Sequence, residues 1–530
     1  MPTEDYDIVG SYNNQRFPNI DAERSVNLFE YIDPLGKKPK NLISTSGLAN
    51  SGIQFPAAAN GFRAQFVFRN IMFSVIGQDI YRTNSDLTTT RLTTSIQLAN
   101  TVGYVGIDAN THQVIFVDGQ AGYIYDVDTS GPLVKITDAN FPLLPIDVAY
   151  LDGFFVVAWG GTNTFRLSQL NDGLNWTPVQ QGAITSHPGT IVACRTLHRR
   201  LFLFSQFYTE VWENAGLGTN LPFRRNNSFL IEYGTPAIGS IAVGFDRMIY
   251  LSQDRDGLGS VMEVAGTENM FVSTKALDFA LANYASDPAK GVADARGFFV
   301  KENGIIFYRL NFTAANHTYI FGVSMSSPDA LKWHEEEVLN GNRHPAQTHV
   351  YFNGNNYVGH FSQPILYLLD DKLFTNDGET IKRMRITKAI VPAGYQRTRI
   401  DRLQIDLVQG TIDLLQNTVA QSEIDLFTES SLTILTESGI NIILSQGSTN
   451  FTTSTIPPLV FLSISKDGGQ TYGYTIQAPM GLLGQRRFRT LWRKLGVIPR
   501  GQAFVIKIEF FHHYPFIVLG GAWAYEILPE

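Results

Sequence analysis

Residues 152–168, DGFFVVAWGGTNTFRLS, contain the pattern that decides the fold of this chain. Asp152-Gly153 is a strong signal for a tight hairpin turn, because both residues accept positive φ angles. An apolar run, FFVVAW, follows the turn, and a short aromatic stretch, NTFRLS, follows the run. The stretch therefore predicts short antiparallel strands joined by tight turns.

The same pattern occurs seven times between about residues 61 and 375. The turns are predicted at Arg69-Asn70, Asn110-Thr111, Asp152-Gly153, His198-Arg199, Asp246-Arg247, Asn303-Gly304 and Gly354-Asn355. Their spacing of about 40 to 57 residues is typical of propeller blades. One small sheet cannot bury both of its faces, whereas a closed ring of sheets can. The sequence predicts an all-β protein with a six- or seven-bladed β-propeller; a run of unrelated hairpins in a β-sandwich is the alternative.

The remainder of the chain completes a three-part division. Residues 1–60 are predicted to be an extended N-terminal arm, residues 61–378 the β-propeller, and residues 379–530 an additional C-terminal β-sandwich-like domain. Alternating runs such as RIDRLQIDL (Arg399–Leu407) indicate the strands of this last domain. An eight-residue repeat beginning with Ser422 marks an insert at about residues 411–455. One short helix is predicted over Ser273–Ser286, with Ser273 or Thr274 as its cap.

Composition excludes several classes of protein. The 530 residues carry a formal net charge of −7, whereas proteins that grip DNA by its phosphates present a basic surface. Cys194 is the single cysteine, so the fold must be stable without an internal disulfide. The N-terminus MPTEDYDIVG lacks the apolar segment of a secretory signal. We therefore expect the protein to be made and assembled in a cytoplasm.

One motif matches the Asp-box pattern of sialidase-type propellers. It consists of Ser465, Asp467, Gly469, Thr471 and Tyr472. The carboxylate can accept N–H groups of the turn, and the glycine allows positive φ. We interpret the box as a structural turn, since a catalytic role would require a facing pair of carboxylates or an equivalent set.

Two charged runs carry further interpretations. Glu335-Glu336-Glu337 is the densest acidic run, and neighbouring strand residues point to opposite faces, so we expect a solvated edge. A basic cluster consists of Arg486, Arg487, Arg489, Arg493 and Lys494. Such a cluster can bind nucleic acid, pair with carboxylates at a subunit interface, or remain solvated. In an acidic protein we favour the interface.

No motif indicates a catalytic, metal or cofactor site. H-E-x-x-H, Walker, G-x-S-x-G and dinucleotide-binding patterns are absent from the sequence. We therefore expect no enzyme activity and no cofactor. The Asp box leaves one alternative, a sialidase-like or lectin-like propeller that acts on or binds carbohydrate. Acidic residues that converge at the propeller centre would support that alternative.

Three stretches resemble the packaged-DNA stabilisation family, the tail hub or nozzle proteins of short-tailed bacteriophages. The first is Ser11–Leu48, with Val26-Asn27-Leu28 and Thr45-Ser46-Gly47-Leu48. The second runs from LNDGLNWTP at Leu170 through FSQFYTEVWENAG to VSTKALDFAL, ending at Leu281. The third is LSISKDGGQTYG followed by GLLGQRRFRTLWRKLG. The resemblance covers most of the chain in the same order, but not Ile412–Thr455.

The resemblance implies a virion protein of the phage tail, assembled in the bacterial host cytoplasm, without catalysis. Such hubs form a ring, usually a homohexamer, below the portal-adaptor ring. They retain packaged DNA, line its exit path during ejection and anchor tailspikes or tail fibres. The implied partners are other copies of the chain, the portal-adaptor ring, a tailspike or fibre, double-stranded DNA in the channel, and a tail needle or plug.

Overall fold

The computed structural model describes residues 3–16, 21–33, 39–216, 221–266, 268–390, 396–409, 422–425, 443–446, 458–481, 486–513 and 516–528. Contacts divide the chain into two compact units. The propeller unit comprises Ser11–Phe17 and Leu48–Leu369, and the sandwich unit comprises Met1–Gly10, Pro18–Gly47 and Asp370–Glu530. Within the described ranges, no helix combines the length and the apolar character needed to cross a membrane.

Six short strands precede the first blade within residues 3–16, 21–33 and 39–61. They are β1 (Thr3–Tyr6), β2 (Asn13–Asn14), β3 (Ala22–Val26), β4 (Leu28–Ile32), β5 (Lys40–Ser44) and β6 (Gly47–Asn50).

Among the described residues, the propeller unit contains seven blades, which confirms the predicted β-propeller and gives the blade number. Blade 1 is β7 (Phe62–Phe68), β8 (Ile71–Ile76), β9 (Asp79–Thr83) and β10 (Thr89–Arg91); blade 2 is β11 (Gly106–Ala109), β12 (Gln113–Val117), β13 (Gly122–Asp126) and β14 (Val134–Lys135); blade 3 is β15 (Pro145–Leu151), β16 (Phe154–Trp159), β17 (Thr164–Gln169) and β18 (Asp172–Ala183). Blade 4 is β19 (Ile191–Leu197), β20 (Arg200–Ser205), β21 (Thr209–Asn214) and β22 (Phe223–Ile231); blade 5 is β23 (Ala242–Gly244), β24 (Arg247–Gln253), β25 (Leu258–Ala265) and β26 (Glu268–Phe271); blade 6 is β27 (Arg296–Glu302), β28 (Ile305–Phe312), β29 (His317–Gly322) and β30 (Trp333–Glu335).

The seventh blade closes the ring with a strand from the other end of the repeat region. Its first three strands are β31 (Ala346–Phe352), β32 (Asn355–His360) and β33 (Leu366–Asp370), and β6 pairs beside β33. The inner strands of adjacent blades contact one another, and β31 contacts β7. Ring closure therefore protects the blade edges that would otherwise stay unpaired.

Most blades begin with the predicted tight hairpin. Arg69-Asn70 and His198-Arg199 have positive φ at both positions, as do Asp152-Gly153 and Asn303-Gly304. Three turns differ from the prediction: blade 2 has the longer loop Asn110–His112, and blades 5 and 7 turn one residue earlier, at Phe245-Asp246 and Asn353-Gly354. The shift of blade 7 follows from the preference of Asn-Gly for a type I′ turn.

One α-helix interrupts the β structure in the part of the chain that the structure describes, as the sequence predicts. α1 spans Lys275–Ser286, and the Thr274 hydroxyl accepts the N–H of Leu277 at 3.3 Å as N-cap. Leu277 and Leu281 are fully buried in a core cluster that includes residues of blades 5 and 6. Two 3₁₀ turns, Ile238–Ser240 and Val323–Met325, complete the propeller unit.

The strands after the propeller include those of the β-sandwich. They are β34 (Thr375–Asn376), β35 (Glu379–Thr380), β36 (Arg383–Ile386), β37 (Thr398–Gln409), β38 (Ser422–Asp425), β39 (Ile443–Gln446), β40 (Leu459–Ser465), β41 (Ile476–Pro479), β42 (Arg486–Ile498), β43 (Val505–Phe510) and β44 (Phe516–Ile527). One sheet has the order β4-β5-β44-β37-β42, with β1 beside β44; the other includes β3-β36-β43-β40-β41. Leu403 and Trp523 from the first sheet and Leu462 and Phe510 from the second share one buried core.

The observed division differs from the sequence-based boundaries at 1–60, 61–378 and 379–530. Residues 1–60 do not form a separate arm: β1, β3, β4 and β5 pair with strands of the sandwich unit, and β6 completes a blade. This pairing satisfies the hydrogen bonds of backbone groups at sheet edges. Hydrophobic periodicity within a short segment does not reveal such pairing with distant strands. In the insert at about residues 411–455, β38 and β39 pair antiparallel, and the remaining residues lie outside the described ranges.

Candidate functional site

The Asp-box carboxylate is bound within its own turn, between β40 and β41. Asp467 accepts the N–H groups of Gln470 at 3.0 Å and Thr471 at 2.9 Å. The hydroxyls of Ser465 and Thr471 each donate to it at 2.6 Å. Burial acts in the opposite direction, but these hydrogen bonds lower the pKa of Asp467 to about 2. The arrangement stabilises the hairpin.

The other Asp-box residues complete the turn. Gly469 has a φ of 100°, and its N–H donates to Ser465 Oγ at 2.8 Å. The Tyr472 ring packs against a small core cluster that contains Val505, and the Lys507 ammonium lies 5.1 Å from the ring centre. None of these contacts brings in a second carboxylate from another blade or strand, so the box supplies no acid–base pair for glycoside chemistry.

The basic cluster lies on β42, the last strand in the described order of its sheet. Trp492 is buried in the sandwich core, and Arg489, Arg493 and Lys494 are exposed. Alternation along the strand places Arg489 and Arg493 on the same, outward face. Arg489 lies 3.7 Å from Asp406 across the strand pair. The side chains of Arg486 and Arg487 are outside the described residues.

The acidic run is buried, so the expectation of a solvated edge is wrong. Glu335 and Glu336 are each 2% exposed. Alternation holds, because Glu335 accepts from His317 while Glu336 pairs with the buried Arg309. Burial raises the pKa of Glu336 to about 7, against the opposing charge of Arg309. The partners of both carboxylates lie in other strands, which the acidic run itself does not show.

One cluster in blade 6 has the composition of a cation site. Single ligand atoms of His317, Glu335 and Glu337 lie within 4.8 Å of one another. His317 Nε2 and Glu335 Oε1 are 2.8 Å apart, which is a hydrogen bond. The three residues could hold a divalent cation, but this hydrogen bond explains the closest contact without one.

A cavity lies at the centre of the propeller, where the inner strand of every blade contributes to its wall. Its volume is about 370 Å³. Its wall contains three arginines, Arg63, Arg195 and Arg296, together with Tyr104 and Asp108. We call this space the axial cavity.

Arg195 and Tyr104 organise one side of the axial cavity. Arg195 forms an ion pair with Asp147, whose side chain is 0% exposed. Arg195 Nη2 also donates to the Tyr104 hydroxyl at 2.5 Å. The Arg296 guanidinium carbon lies 4.9 Å from the centre of the Tyr104 ring, a cation–π contact. Burial raises the pKa of Asp108 to about 6, although its carboxylate accepts two backbone N–H groups.

The sequence analysis missed these residues because they are about 40 to 100 residues apart in the chain. The sequence signal that could have identified these residues is their shared position in the blade repeat. Arg63, Arg195 and Arg296 each lie in the strand just before a predicted hairpin turn, which is the inner strand of a blade. The axial cavity contains more arginine than carboxylate, so it is not the convergence of acids that would support a glycosidase.

Two family models match the chain. The model described as "Bacteriophage P22 Gp10, beta-propeller" matches residues 10–374, which is more than half of the chain. The model described as "Bacteriophage P22 Gp10, beta-sandwich" matches residues 426–518. The second match includes part of Ile412–Thr455, so the expectation that this segment has no counterpart in the family is wrong from residue 426 onward.

Similarity to solved structures is limited to the propeller shape. A streptogramin B lyase is 8% identical with a TM-score of 0.41, and the match covers 62% of this chain and 98% of that one. A virginiamycin B lyase from Staphylococcus aureus is 10% identical with a TM-score of 0.40, covering 58% and 94%. The WD40 β-propeller domain of Doa1 is 10% identical with a TM-score of 0.37, covering 61% and 97%. These similarities are too weak to support an inference about function.

No curated protein matches the chain in sequence. The family models therefore carry the assignment. The structure agrees with them, because the closed propeller occupies most of the first match and the described strands β40, β41, β42 and β43 of the second match belong to the two packed sheets. The chain belongs to the bacteriophage P22 Gp10 family of phage structural proteins.

Proposed function

We propose that the chain is a tail hub, or nozzle, that forms a ring in the tail of a short-tailed bacteriophage. The observation that carries the proposal is the match of both Gp10 domains, in order, to the two units of this chain. In this role the protein assembles as a homohexamer below the portal-adaptor ring, retains packaged DNA and lines its exit path. It also anchors tailspikes or fibres and contacts a tail needle or plug.

The role is structural and needs no enzyme activity. Carboxylates that a glycosidase could use are engaged in other contacts among the described residues. Asp467 holds a turn, and Glu336 and Asp147 are paired with buried arginines. The protein would be assembled in the host cytoplasm, and its final location would be the virion tail.

The outward face of β42 is our candidate for the contact between copies. Arg489 and Arg493 lie four residues apart on that face, and Lys494 adds a third exposed cation. Exposed like charges repel one another, and carboxylates from a neighbouring subunit would relieve the repulsion. Because the protein is acidic, a neighbouring copy contains carboxylates that can pair with these cations.

Charge reversal at Arg489 and Arg493 tests the interface. We expect the double variant Arg489→Glu, Arg493→Glu to remain folded but to lose the ring, because like charges across an interface are strongly unfavourable. Mass in solution by light scattering would show wild-type rings and smaller variant particles. Arg199→Glu, Arg224→Glu is the matched control, since both arginines are exposed in the propeller unit. Normal yields of complete tails from the β42 variant would contradict the assignment.

The insert at about residues 411–455 is proposed as the distal tip of the nozzle. The pairing of β38 with β39 is the described feature that supports a hairpin there. Deleting residues 412–455 in frame should give a folded, ring-forming protein with a shortened tip and early loss of DNA from particles. Electron microscopy and nuclease protection measure the two effects. Insoluble protein without rings would show instead that the insert belongs to the core of a single chain.

A further inference from the structure

The axial cavity contains hydrogen-bond donors that the fold does not use. Arg63 is 5% exposed, and its Nη2 atom has no partner in the described part of the chain. Its other nitrogens donate to the carbonyls of Gly77, Asn100 and Gly103. These bonds fix the Arg63 side chain and leave Nη2 without an acceptor among the residues that the structure describes. A buried donor without an acceptor is costly, so its presence calls for an explanation.

Arg296 is a second available donor. Its side chain contacts the face of Tyr104, and no hydrogen bond of its guanidinium occurs within the described residues. A Cβ atom at Gly239 would lie 2.6 Å from Arg296 Cδ and 2.9 Å from Nη1. The absence of a side chain at Gly239 therefore makes room for Arg296. Packing holds Arg296 in place and leaves the N–H groups of its guanidinium without acceptors in the described ranges.

The Tyr104 hydroxyl adds a third donor at the same place. It accepts from Arg195 at 2.5 Å, and its own hydrogen has no acceptor among the described side chains and backbone. Arg195 stacks over the same ring, with its guanidinium carbon 5.5 Å from the centre. Arg63, Arg296 and Tyr104 thus line one cavity with charged and neutral donors that lack an acceptor.

The charged side chains that line the cavity are mainly cationic, which favours an anion. Three arginines and one carboxylate, Asp108, belong to the lining, and Arg195 is paired with Asp147, which is not part of the lining. Burial lowers the pKa of Arg63 to about 10 and also lowers the pKa of Arg296, and both remain cationic near neutrality.

Two further acids act on these arginines electrostatically. They are Asp118, near Arg63, and Asp294, near Arg296. Neither acid lines the cavity. Asp118 accepts four backbone N–H groups and Asp294 accepts one. They reduce the field of the arginines without occupying the donors that face the cavity.

We propose that the axial cavity binds the carboxylate of a small polar molecule of the acidic-monosaccharide class. Guanidinium groups bind carboxylates through paired, charge-assisted hydrogen bonds, and the tyrosine hydroxyl can donate a further one. The volume of about 370 Å³ is within the range of small-molecule sites and exceeds the need of a bare ion. The Thr196 hydroxyl and the Gln347 amide nitrogen also line the cavity, have no other partner in the described chain, and suit sugar hydroxyls.

Calorimetric titration of the full chain with glucuronate and with glucose tests the proposal. The two sugars share a ring and differ by the carboxylate, and sodium chloride holds ionic strength constant. We expect glucuronate to bind at least about tenfold more tightly than glucose, the usual gain from a charge-assisted hydrogen bond. Equal binding of the two sugars, or no binding of glucuronate at millimolar concentrations, would overturn the proposal.

Two cavity variants and one control locate the site. Arg296→Gln removes the charge without removing a hydrogen bond of the fold, and it should weaken glucuronate binding about tenfold or more. Tyr104→Phe should weaken it a few-fold. Arg224→Gln, an exposed ion-pair arginine of the same propeller, should bind like wild type. Circular dichroism checks folding, and if Arg296→Gln does not fold, Tyr104→Phe decides. Unchanged affinity in the folded cavity variants would show that the anion binds elsewhere.

Discussion

Two groups of arginines in this chain have opposite environments. Arg489 and Arg493 lie close together in the sequence, four residues apart, and the side chain of Arg489 is 69% exposed. Arg63, Arg195 and Arg296 are far apart in sequence but line one cavity, and the side chain of Arg195 is 14% exposed. A charge cluster that is visible in the sequence thus lies on a solvated strand face, whereas the cluster at the propeller axis is assembled by the repeat.

The difference has an energetic consequence. An exposed ion pair such as Arg489–Asp406 contributes about 0–1 kcal/mol to stability, since water screens it and side-chain entropy opposes it. Removal of one partner from a buried pair leaves an uncompensated charge in the interior and costs about 3–5 kcal/mol. The two groups should therefore respond differently to the same substitution.

The largest expected effect is on the buried pair. Arg195→Ala should lower the free energy of unfolding of the propeller by about 4 kcal/mol, because Asp147 has a side-chain exposure of 0% and would lose its counter-charge. Arg493→Ala should change it by less than about 0.5 kcal/mol. Urea titration followed by fluorescence measures both. Similar losses in the two variants would abolish the distinction, and recovery in Arg195→Leu, Asp147→Leu would attribute the loss to the unpaired carboxylate.

A histidine of the axial cavity provides a pH test. Burial lowers the pKa of His349 to about 4, although it hydrogen-bonds Asn356 at 3.0 Å. Between pH 6.5 and about 4 the unfolded chain binds more protons than the folded chain, so stability decreases as the pH falls through this window. Relative to His349→Gln, the wild type should lose about 3 kcal/mol on going from pH 7 to pH 4.

The comparison with His349→Gln is needed because Asp108, in the same cavity, acts in the opposite direction. Its folded pKa of about 6 exceeds the ordinary value of 3.8, so the folded chain takes up the extra proton on acidification and gains stability from it. A difference between wild type and variant that is independent of pH would show that His349 is hydrated in the folded protein.

A smaller effect than that of His349 is expected at the Asp box, where a charge is held close to the surface. Asp467→Asn should cost about 1 kcal/mol, a value discounted for solvent screening, because the amide cannot accept all four hydrogen bonds. The folded pKa of about 2 is below the ordinary 3.8, so the contribution is present above pH 3.8 and is lost as the pH falls toward 2. Thermal unfolding of both proteins from pH 2 to 7 measures it.

Sequence patterns predicted the parts of the fold that depend on neighbours along the chain. The tight turns, the two strands after each turn and α1 are encoded within about 15 residues each. The fourth strands were missed, because an outer strand such as Val134–Lys135 is too short for a periodic pattern. The pairing of β1, β3, β4 and β5 in the sandwich was missed for another reason: it depends on open edges of strands more than 300 residues later.

The candidate sites divide in the same way. The hydrogen bonds of the Asp box follow from spacing within one turn, and the structure places all five residues there. The burial of Glu335 and Glu336 depends on His317 and Arg309, which belong to other strands. The axial cavity depends on all seven blades and has no local pattern.

The position of the closing strand β6 early in the chain also delays closure of its blade during synthesis. β6 leaves the ribosome before the first blade, but its partner β33 follows only about 300 residues later. At roughly 5–20 residues per second, this interval lasts about 15–60 s, during which β6 has no partner in its blade. The nascent chain must keep this short segment from pairing elsewhere, and only near residue 370 does the ring become topologically complete. If translation stalls within the blades, the cell would accumulate incomplete propellers whose unpaired strand edges can associate with other chains.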